Sequence, residues 1–384
     1  MATDDDFGFG EEEQILRDHA RRLLGERASL DALRALVAPD AETSYRSDPP
    51  PAPWDDALWR QMVGLGWPGL IVPSEAGGSG LGIVALVALC EEIGRAALPS
   101  PLSSTLLATC VLRAAKTPPA NEAMRRIAAG ASATLAVTDA RGSWSPHDTD
   151  VVAVAAGGDE TRLQGTASFV QDARKASSFV VSAKGADGVG LYGVDADAPG
   201  VSVRPDRIAD LSRDQARVEL DGVPVAADRV VAPPGSGDAV LARALPALLA
   251  ALAADICGAA EWQLQTTTEY ARVRVQFDHP LGFFQAVKHP LVNLMIDVDR
   301  ARSLTYGAAH AIDRETDDAL RLARMAKSAA SDLAAFASSR SIQLHGGIGF
   351  TWEHAAHIYF KRQRHSQVLC GDGVVQRAEI AGLL

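Results

Sequence analysis

Between residues 132 and 235 the helical periodicity of the chain stops, and this interruption limits the folds open to it more than any other feature. Eight short runs rich in β-branched residues succeed one another there: Thr134–Thr138, Val151–Ala155, Arg162–Gln164, Ser168–Val170, Phe179–Ala183, Val189–Val194, Val201–Arg204 and Ala216–Leu220. Gly, Asp and Pro bound them, and no segment of helical length lies between them. That pattern predicts antiparallel pairing in a sandwich or barrel, not parallel βαβ units.

The flanks read as helix. Residues 11–37 form one amphipathic pattern, with Ile15, Leu16, Ala20, Leu23 and Leu24 at helical spacing. A Pro-rich loop at Asp48 to Pro53 precedes helix from Trp54 to Val63, and the Pro/Gly stretch Leu65 to Pro73 makes a tight connection. The glycine-rich Gly77 to Gly82 fits no phosphate-cradling or nucleophile motif and reads as a loop. Helices are expected over Ile83–Gly94, near Ser104–Ala115 and near Asn121–Ala129. Beyond a Pro/Gly linker, Ala232 to Gly237, three patterns recur at steps of three and four. The first is Leu241, Leu245, Leu248, Leu249, Leu252 and Ile256. The second is Phe284, Val287, Leu291, Leu294, Val298 and Ala301. The third, Leu322, Met325, Ala329, Leu333 and Phe336, is lightened by Ala and Ser that let helices approach closely. Pro290 should kink the second or shorten its start, and His345-Gly346-Gly347 should end the third. The fold class is therefore α+β multidomain: an N-terminal all-α domain (1–131), a middle antiparallel β-barrel or sandwich (132–235) and a C-terminal four-helix bundle (236–384).

A formal charge of −11 argues against a nucleic-acid or anionic-membrane partner. The four cysteines, Cys90, Cys110, Cys257 and Cys370, stand far apart with no CxxC pair, as expected of reduced thiols in the cytoplasm. Met1 to Phe7 lacks the basic-then-apolar order of a signal peptide. The most membrane-like run, Ala239 to Ala254, is broken by Arg243 and Pro246, is too short to span a bilayer and reads as a buried helix.

Chemistry concentrates between Tyr270 and Gln285, in a short turn joining two helical patterns. Arg274 offers a planar fork to phosphate oxygens, Phe277 and Phe284 offer apolar faces, and Gln276 and Gln285 offer amides. An ordinary helix corner with a solvated arginine is the plain alternative. Glu353-His354-Ala355-Ala356-His357, with His345 and His365 nearby, has no zinc-ligand spacing, so no metal site is expected.

These motifs, taken in order, resemble the acyl-CoA dehydrogenase family from about Leu65 to the C-terminus. The carriers are Leu65-Gly66-Trp67-Pro68-Gly69-Leu70-Ile71-Val72-Pro73 with Gly77-Gly78, then Glu91-Glu92-Ile93-Gly94-Arg95. Tyr270-x-x-x-Arg274-x-Gln276-Phe277 with Pro280 and Phe284-Gln285 follows, and the last is Gln343 through Gly346-Gly347 to Glu353. The resemblance implies an oligomer binding FAD between the β-domain and the bundle, each site completed by a neighbouring subunit. It implies that Arg274 grips the FAD pyrophosphate, that Phe277 belongs to the same motif, and that Gln285 bonds the adenosine part across the subunit interface. Gln343, Gly346 and Gly347 would lie against the cofactor, and Thr138 near the flavin ring. Phe169 and Gln171 stand where the family usually has Trp and Thr, supplying an aromatic wall and a donor.

The implied reaction is α,β-dehydrogenation of an acyl-CoA thioester, with electron-transfer flavoprotein admitted as acceptor. The flavin carries the redox chemistry, while the protein positions the substrate and supplies a base. The two family positions for that base hold Cys370 and Leu248 here, and neither is a carboxylate. Asp255, Glu261, Glu353 and Asp372 are alternative carboxylates, each also readable as a cap, a surface group or an ion-pair partner. The basic cluster Lys361, Arg362 and Arg364 reads as a solvated helix face, with CoA phosphates as the sharper alternative. The stretch Gly346 to His354 and the pair Phe169-Val170 are similar to actinobacterial members that form heteromeric complexes on bulky CoA thioesters, in which one subunit type lacks the base. This implies a paralogous partner. A silent assembly subunit, and a nitroalkane-oxidase-like or monooxygenase relative, stay open beside it.

Overall fold

The computed structural model describes residues 10–38, 46–157 and 160–383. The segment Met1 to Phe7, read above for a signal peptide, lies outside the described residues. The chain forms two compact units: one holds the described residues of 1–41, 83–98 and 249–384, the other those of 42–82 and 99–248.

The first expected helix is two, α1 (Glu11–Arg27) and α2 (Leu30–Val37). The break falls where Ser29 accepts a hydrogen bond from Ala32 N–H at 3.3 Å, the N-cap preference of serine outcompeting continued helix. Ala20, Leu23 and Leu24 are buried as the spacing predicts, whereas Ile15 is 62% exposed. The helices α3 (Asp56–Gly64), α4 (Ile83–Arg95), α5 (Leu102–Ala115) and α6 (Pro118–Ala128) lie close to their expected positions.

The sheet is built from β1 (Ala133–Ala136), β2 (Val151–Gly157), β3 (Glu160–Gln171), β4 (Ser178–Gly185), β5 (Gly188–Asp195), β6 (Val201–Pro205), β7 (Gln215–Val225) and β8 (Val230–Ala232). Its order is β6-β7-β3-β2-β4-β5-β8, with β1 on β4. Most pairings are antiparallel as expected. β1 and β2, however, each pair with β4 in parallel, which corrects the wholly antiparallel expectation. The runs Arg162–Gln164 and Ser168–Val170 are one strand, β3, whose register with β7 shifts twice, at Leu163/Gly165 and Ala167/Val170. Gly165 reads as a strand breaker but is a bulge: at φ +133°, its absent Cβ would meet Asp150 O at 2.3 Å. Val151, Leu163, Phe179, Val181, Val218 and Leu220 fill the core of this unit.

The C-terminal region comprises α7 (Gly237–Val273), a two-stranded hairpin of β9 (Val275–Gln276) and β10 (His279–Pro280), α8 (Gln285–Asp313), α9 (Ala319–His345), α10 (Ala356–Val368) and α11 (Gly373–Ala381). α7 runs through Pro246 and is 37 residues long, longer than the apolar run suggested. By length it could cross a bilayer, but 72% of its most apolar window is buried, so it is a core helix. Pro290 does not shorten α8, because Val287 and Lys288 already anchor the first turn on Phe284 O. In α9 the buried face is not the predicted one. Of the five predicted positions only Leu333 is fully buried, while Ala323, Ala326, Ala330, Ala334 and Ala337 form the inner stripe. Small side chains bring the neighbouring helix in, and the larger ones are pushed to the flanks. Leu294, Val298 and Ala301 of α8 meet Leu333 and Ala337 there, with Cys257 and Ala260 of α7.

The cluster Lys361, Arg362 and Arg364 is not a uniformly solvated face. Arg362 is 1% exposed. Its Nη2 donates to Asp255 Oδ1 at 2.6 Å, and Ser366 Oγ donates to Oδ2 of the same carboxylate. A buried pair of this kind loses about 3–5 kcal/mol when one partner is removed. Arg362→Met should therefore lower the denaturation free energy by about that amount, while Arg364→Met should leave the denaturant midpoint nearly unchanged. Backbone contact between α4 and α7 gives a second test. A Cβ on Gly258 would lie 1.8 Å from Glu91 O, and one on Gly94 1.9 Å from Asp255 O, whereas one on Gly307 meets nothing within 4 Å. Gly258→Ala should cost about 1–3 kcal/mol or more, and Gly307→Ala should gain about 0.5–1 kcal/mol, both read from equilibrium unfolding.

Candidate active site

The nine residues singled out for a flavin divide between the two units. In the helical unit, α7 ends at Val273 and the chain reverses through the β9–β10 hairpin, with Phe277 and Asp278 at φ +53° and +62°. This turn pushes the Phe277 ring outward until it is 84% exposed, edge-on to Phe284 with centroids 6.1 Å apart. Arg274 is exposed, and among the described residues its guanidinium has no hydrogen-bond or ion-pair partner; only its backbone is engaged, with Tyr270 O and Leu281 N–H. Gln285, the first residue of α8, is exposed. So is Gln343, in the last turn of α9. Gly346 ends α9 at φ +63°, and a Cβ built on Gly346 or Gly347 meets nothing within 4 Å. An unpaired guanidinium, free amides, an aromatic face and open space over two glycines suit a large anionic ligand.

In the sheet unit Thr138 follows β1, and Phe169 and Gln171 end β3. Thr138 Oγ1 donates to Ser168 O, and Ser168 N–H returns a bond to Thr138 O at 3.0 Å. The second register shift of β3 sets Phe169 at φ +55° with its ring 40% exposed. The absent Cβ of Gly142 would touch that ring at 3.5 Å. A bulge thus re-aims an aromatic wall, one of the ordinary uses of a bulge. Gln171 departs from the expectation that it supplies a donor. Its Nε2 hydrogens go to Phe169 O and Gln215 Oε1, both at 3.0 Å, so the amide braces the wall instead.

Sequence reasoning passed over two supports. Asp139 is buried, accepts from the backbone N–H groups of Arg141 and Ser143 and from Arg141 Nε, and so shapes the loop after Thr138. Burial opposes its charge, but these hydrogen bonds prevail and hold its pKa below the usual carboxylate range. An Asp three residues before a turn glycine, Gly142, was the readable signal. The other support is Lys327 of α9, fully buried, whose Nζ donates to Ser331 Oγ, Gln367 O and Gly371 O. Burial pushes its pKa down to about 8. With Gln376 Nε2 donating to Cys370 O at 2.6 Å, it clamps a turn in which Cys370 and Gly371 are both left-handed, at φ +55° and +85°. Nothing local marks a lysine inside an Ala/Ser stripe as a clamp.

Sequence profiles of the acyl-CoA dehydrogenase N-terminal and C-terminal domains match residues 10–131 and 235–383. Acyl-CoA dehydrogenase IpdE2 of Mycobacterium tuberculosis is 33% identical over 361 residues, covering 94% of this chain and 93% of that protein. The chain belongs to the acyl-CoA dehydrogenase family. It is thus a member of a family of FAD-dependent oxidoreductases, with the helical, β-sheet and helical regions of that fold in order. Among solved structures, a variant of the Tcur3481-Tcur3483 steroid ACAD superposes with a TM-score of 0.85 at 32% identity, covering 97% of this chain and 98% of that one. The ChsE4-ChsE5 complex from Mycobacterium tuberculosis gives 0.86 at 26% identity, covering 98% of each chain.

The two positions to which the resemblance assigns a base are chemically plain. Leu248 is 4% exposed and lines an apolar pocket with Val137, Trp144, Pro146, Leu241 and Leu245. Cys370 is 5% exposed, and burial pushes its thiol up to about 12, so at neutral pH it is protonated and takes up no proton. The alternative carboxylates are engaged or exposed. Asp255 pairs with Arg362, Glu261 with Arg302, Asp372 caps α11, and Glu353 lies at the surface. The thiols of Cys110 and Cys257 are likewise pushed up to about 12 by burial. Iodoacetamide at about pH 7 to 9, well below these values, should alkylate Cys110, Cys257 and Cys370 only on unfolding. Rapid labelling of native Cys370, read by peptide mass, would show instead that its thiol is a working nucleophile.

Proposed function

We infer that this chain is the base-lacking subunit of a heteromeric, FAD-dependent acyl-CoA dehydrogenase that acts on CoA thioesters of bulky, steroid-like acids. The observation that carries the reading is the chemistry at positions 248 and 370. One is a leucine among apolar neighbours and the other a protonated buried thiol, so neither removes an α-proton. A carboxylate from a paralogous subunit fills that role. Two relatives support this, since their names pair two chains in one complex and one of them is a steroid ACAD. The exposed row Val292, Met295 and Ile296 on one face of α8 supports an assembly, as does the aromatic hairpin.

FAD, when bound, supplies acceptance of the β-hydrogen as hydride. The residues of this chain do the holding. Arg274 would hold the diphosphate, its planar fork offering paired donors that lysine lacks. Gln285 bonds the adenosine part from across the subunit interface. Gln343 lies beside the cofactor, and Gly346 and Gly347 leave room where a side chain would collide. Phe277 covers the same region with its ring. Thr138 and the Phe169 wall orient the flavin ring, with Gln171 bracing Phe169 from behind. The same missing base fits a silent assembly subunit, and flavin content separates the two readings.

Co-expression with a paralogue carrying Glu at the equivalent of position 248 or 370 should give a complex that holds flavin and bleaches with steroid-type acyl-CoA esters, while this chain alone does not turn over. Arg274→Ala should strip flavin from the complex and shift stability by no more than about 0.5 kcal/mol, as for other exposed positions. Turnover by the chain purified free of any paralogue would sink the heteromer reading, and a colourless complex would leave the assembly role.

A further inference from the structure

We propose that His345, His354 and His357 form a proton-sensitive latch, which holds the turn 346–355 closed at neutral pH and lets it open in mild acid. The turn links α9 to α10 and carries Gly346 and Gly347. His345 is the last residue of α9, His354 stands two residues before α10, and His357 lies in its first turn. Folding gathers them into one aromatic cluster. The His345 and His354 ring centroids are 4.2 Å apart, His345 stacks on Tyr270 of α7 at 4.6 Å, and His357 meets Trp352 edge-on at 4.6 Å.

Each ring is held neutral by what its nitrogens face. α10 starts behind an alanine N-cap with no side-chain acceptor, and His354 Nδ1 accepts the Ala356 N–H at 3.1 Å instead. His357 Nδ1 lies 3.3 Å from the Lys361 ammonium, which can only donate. A proton on either Nδ1 would set two donors against each other. His345 gives its Nδ1 proton to Ser341 O at 2.7 Å, leaving Nε2 bare, buried and without a partner among the described residues.

The charges acting on His354 and His357 are cationic. Arg34 of α2 donates to Glu353 O at 3.0 Å, and Lys361 of α10 lies over the Trp352 ring. Asp31 is ion-paired with Arg34, Glu353 is exposed, and α7 and α9 contribute Tyr270, Trp262 and Ser341. Burial, with His345 and Arg34 beside it, holds the His354 pKa down to about 4, and burial with Lys361, Arg34 and His354 does the same for His357. His345 is lowered too, burial outweighing its bond to Ser341 O. Histidines freed from the cluster protonate near pH 6.5. As pH falls from there toward about 4, the open turn takes up protons that the closed one refuses, so closure weakens throughout that window. Gly346, Gly347, Phe350, Thr351 and Glu353 are exposed, so the turn can open locally without unpacking a core.

The test is amide hydrogen exchange of the full chain by mass spectrometry at pH 7.5 and 5.5, corrected for the intrinsic pH dependence of exchange. Protection of peptides spanning 345–358 should fall about tenfold for each of His354 and His357, while peptides spanning 178–195 of the sheet stay unchanged. His354→Asn with His357→Asn places an oxygen where each Nδ1 accepts and removes the titration. That pair should keep the protection at pH 7.5 and lose most of the pH response. Should it fail to fold, His354→Asn alone, removing about one factor of ten, decides. Equal corrected protection at the two pH values, a parallel loss in the sheet peptides, or an unaltered response in the variant would overturn the latch. Weaker flavin retention at pH 5.5 follows only where the flavin reading holds; the exchange experiment needs no flavin, so the two can fail separately.

Discussion

The helical unit rests on direct backbone contact between α4 and α7. Gly94 and Gly258 let the two helices meet so closely that any side chain at either position would occupy the space of the other helix's carbonyl. Approach at that distance buries Glu91 and Glu92, each 1% exposed, and Asp255 at 4%. Buried carboxylates need partners, and each finds an arginine on a different helix. Glu92 takes Arg21 from α1, Glu91 takes Arg302 and Tyr306 from α8, and Asp255 takes Arg362 from α10. Such pairs add little over apolar packing, but leaving one unmatched is costly. They therefore fix which helices lie around the crossing. The hairpin bearing Arg274 follows directly from α7, so its position descends from this contact.

What the fold positions is as informative as what it omits. The hairpin, the open glycines after α9 and the bulged end of β3 present unpaired or exposed groups of the kind a flavin requires. Positions 248 and 370, by contrast, are buried and inert. The turn at 370 is nonetheless held firmly, by Lys327 and Gln376 on three of its carbonyls.

The sequence by itself determined the order of helix, sheet and helix, because period-3.6 and period-2 patterns do not interchange, and the family motifs read in the same order. It also determined the absence of a carboxylate at positions 248 and 370, a matter of identity alone. Four features were decided only by tertiary structure. Ser29 ends a helix that periodicity would have continued, since capping competes with propagation only where the neighbouring turn can close. The inner face of α9 is its alanine stripe, since close approach depends on what the neighbouring helix presents. Arg362 looks solvated in a run of basic residues, yet its partner, Asp255, is 107 positions away and is brought to it by folding. Phe169 faces outward because β3 slips against β7, a register that no local residue specifies. Local pattern fixes what each segment becomes; long-range pairing fixes which side chains are spent inside the protein and which remain to meet a ligand.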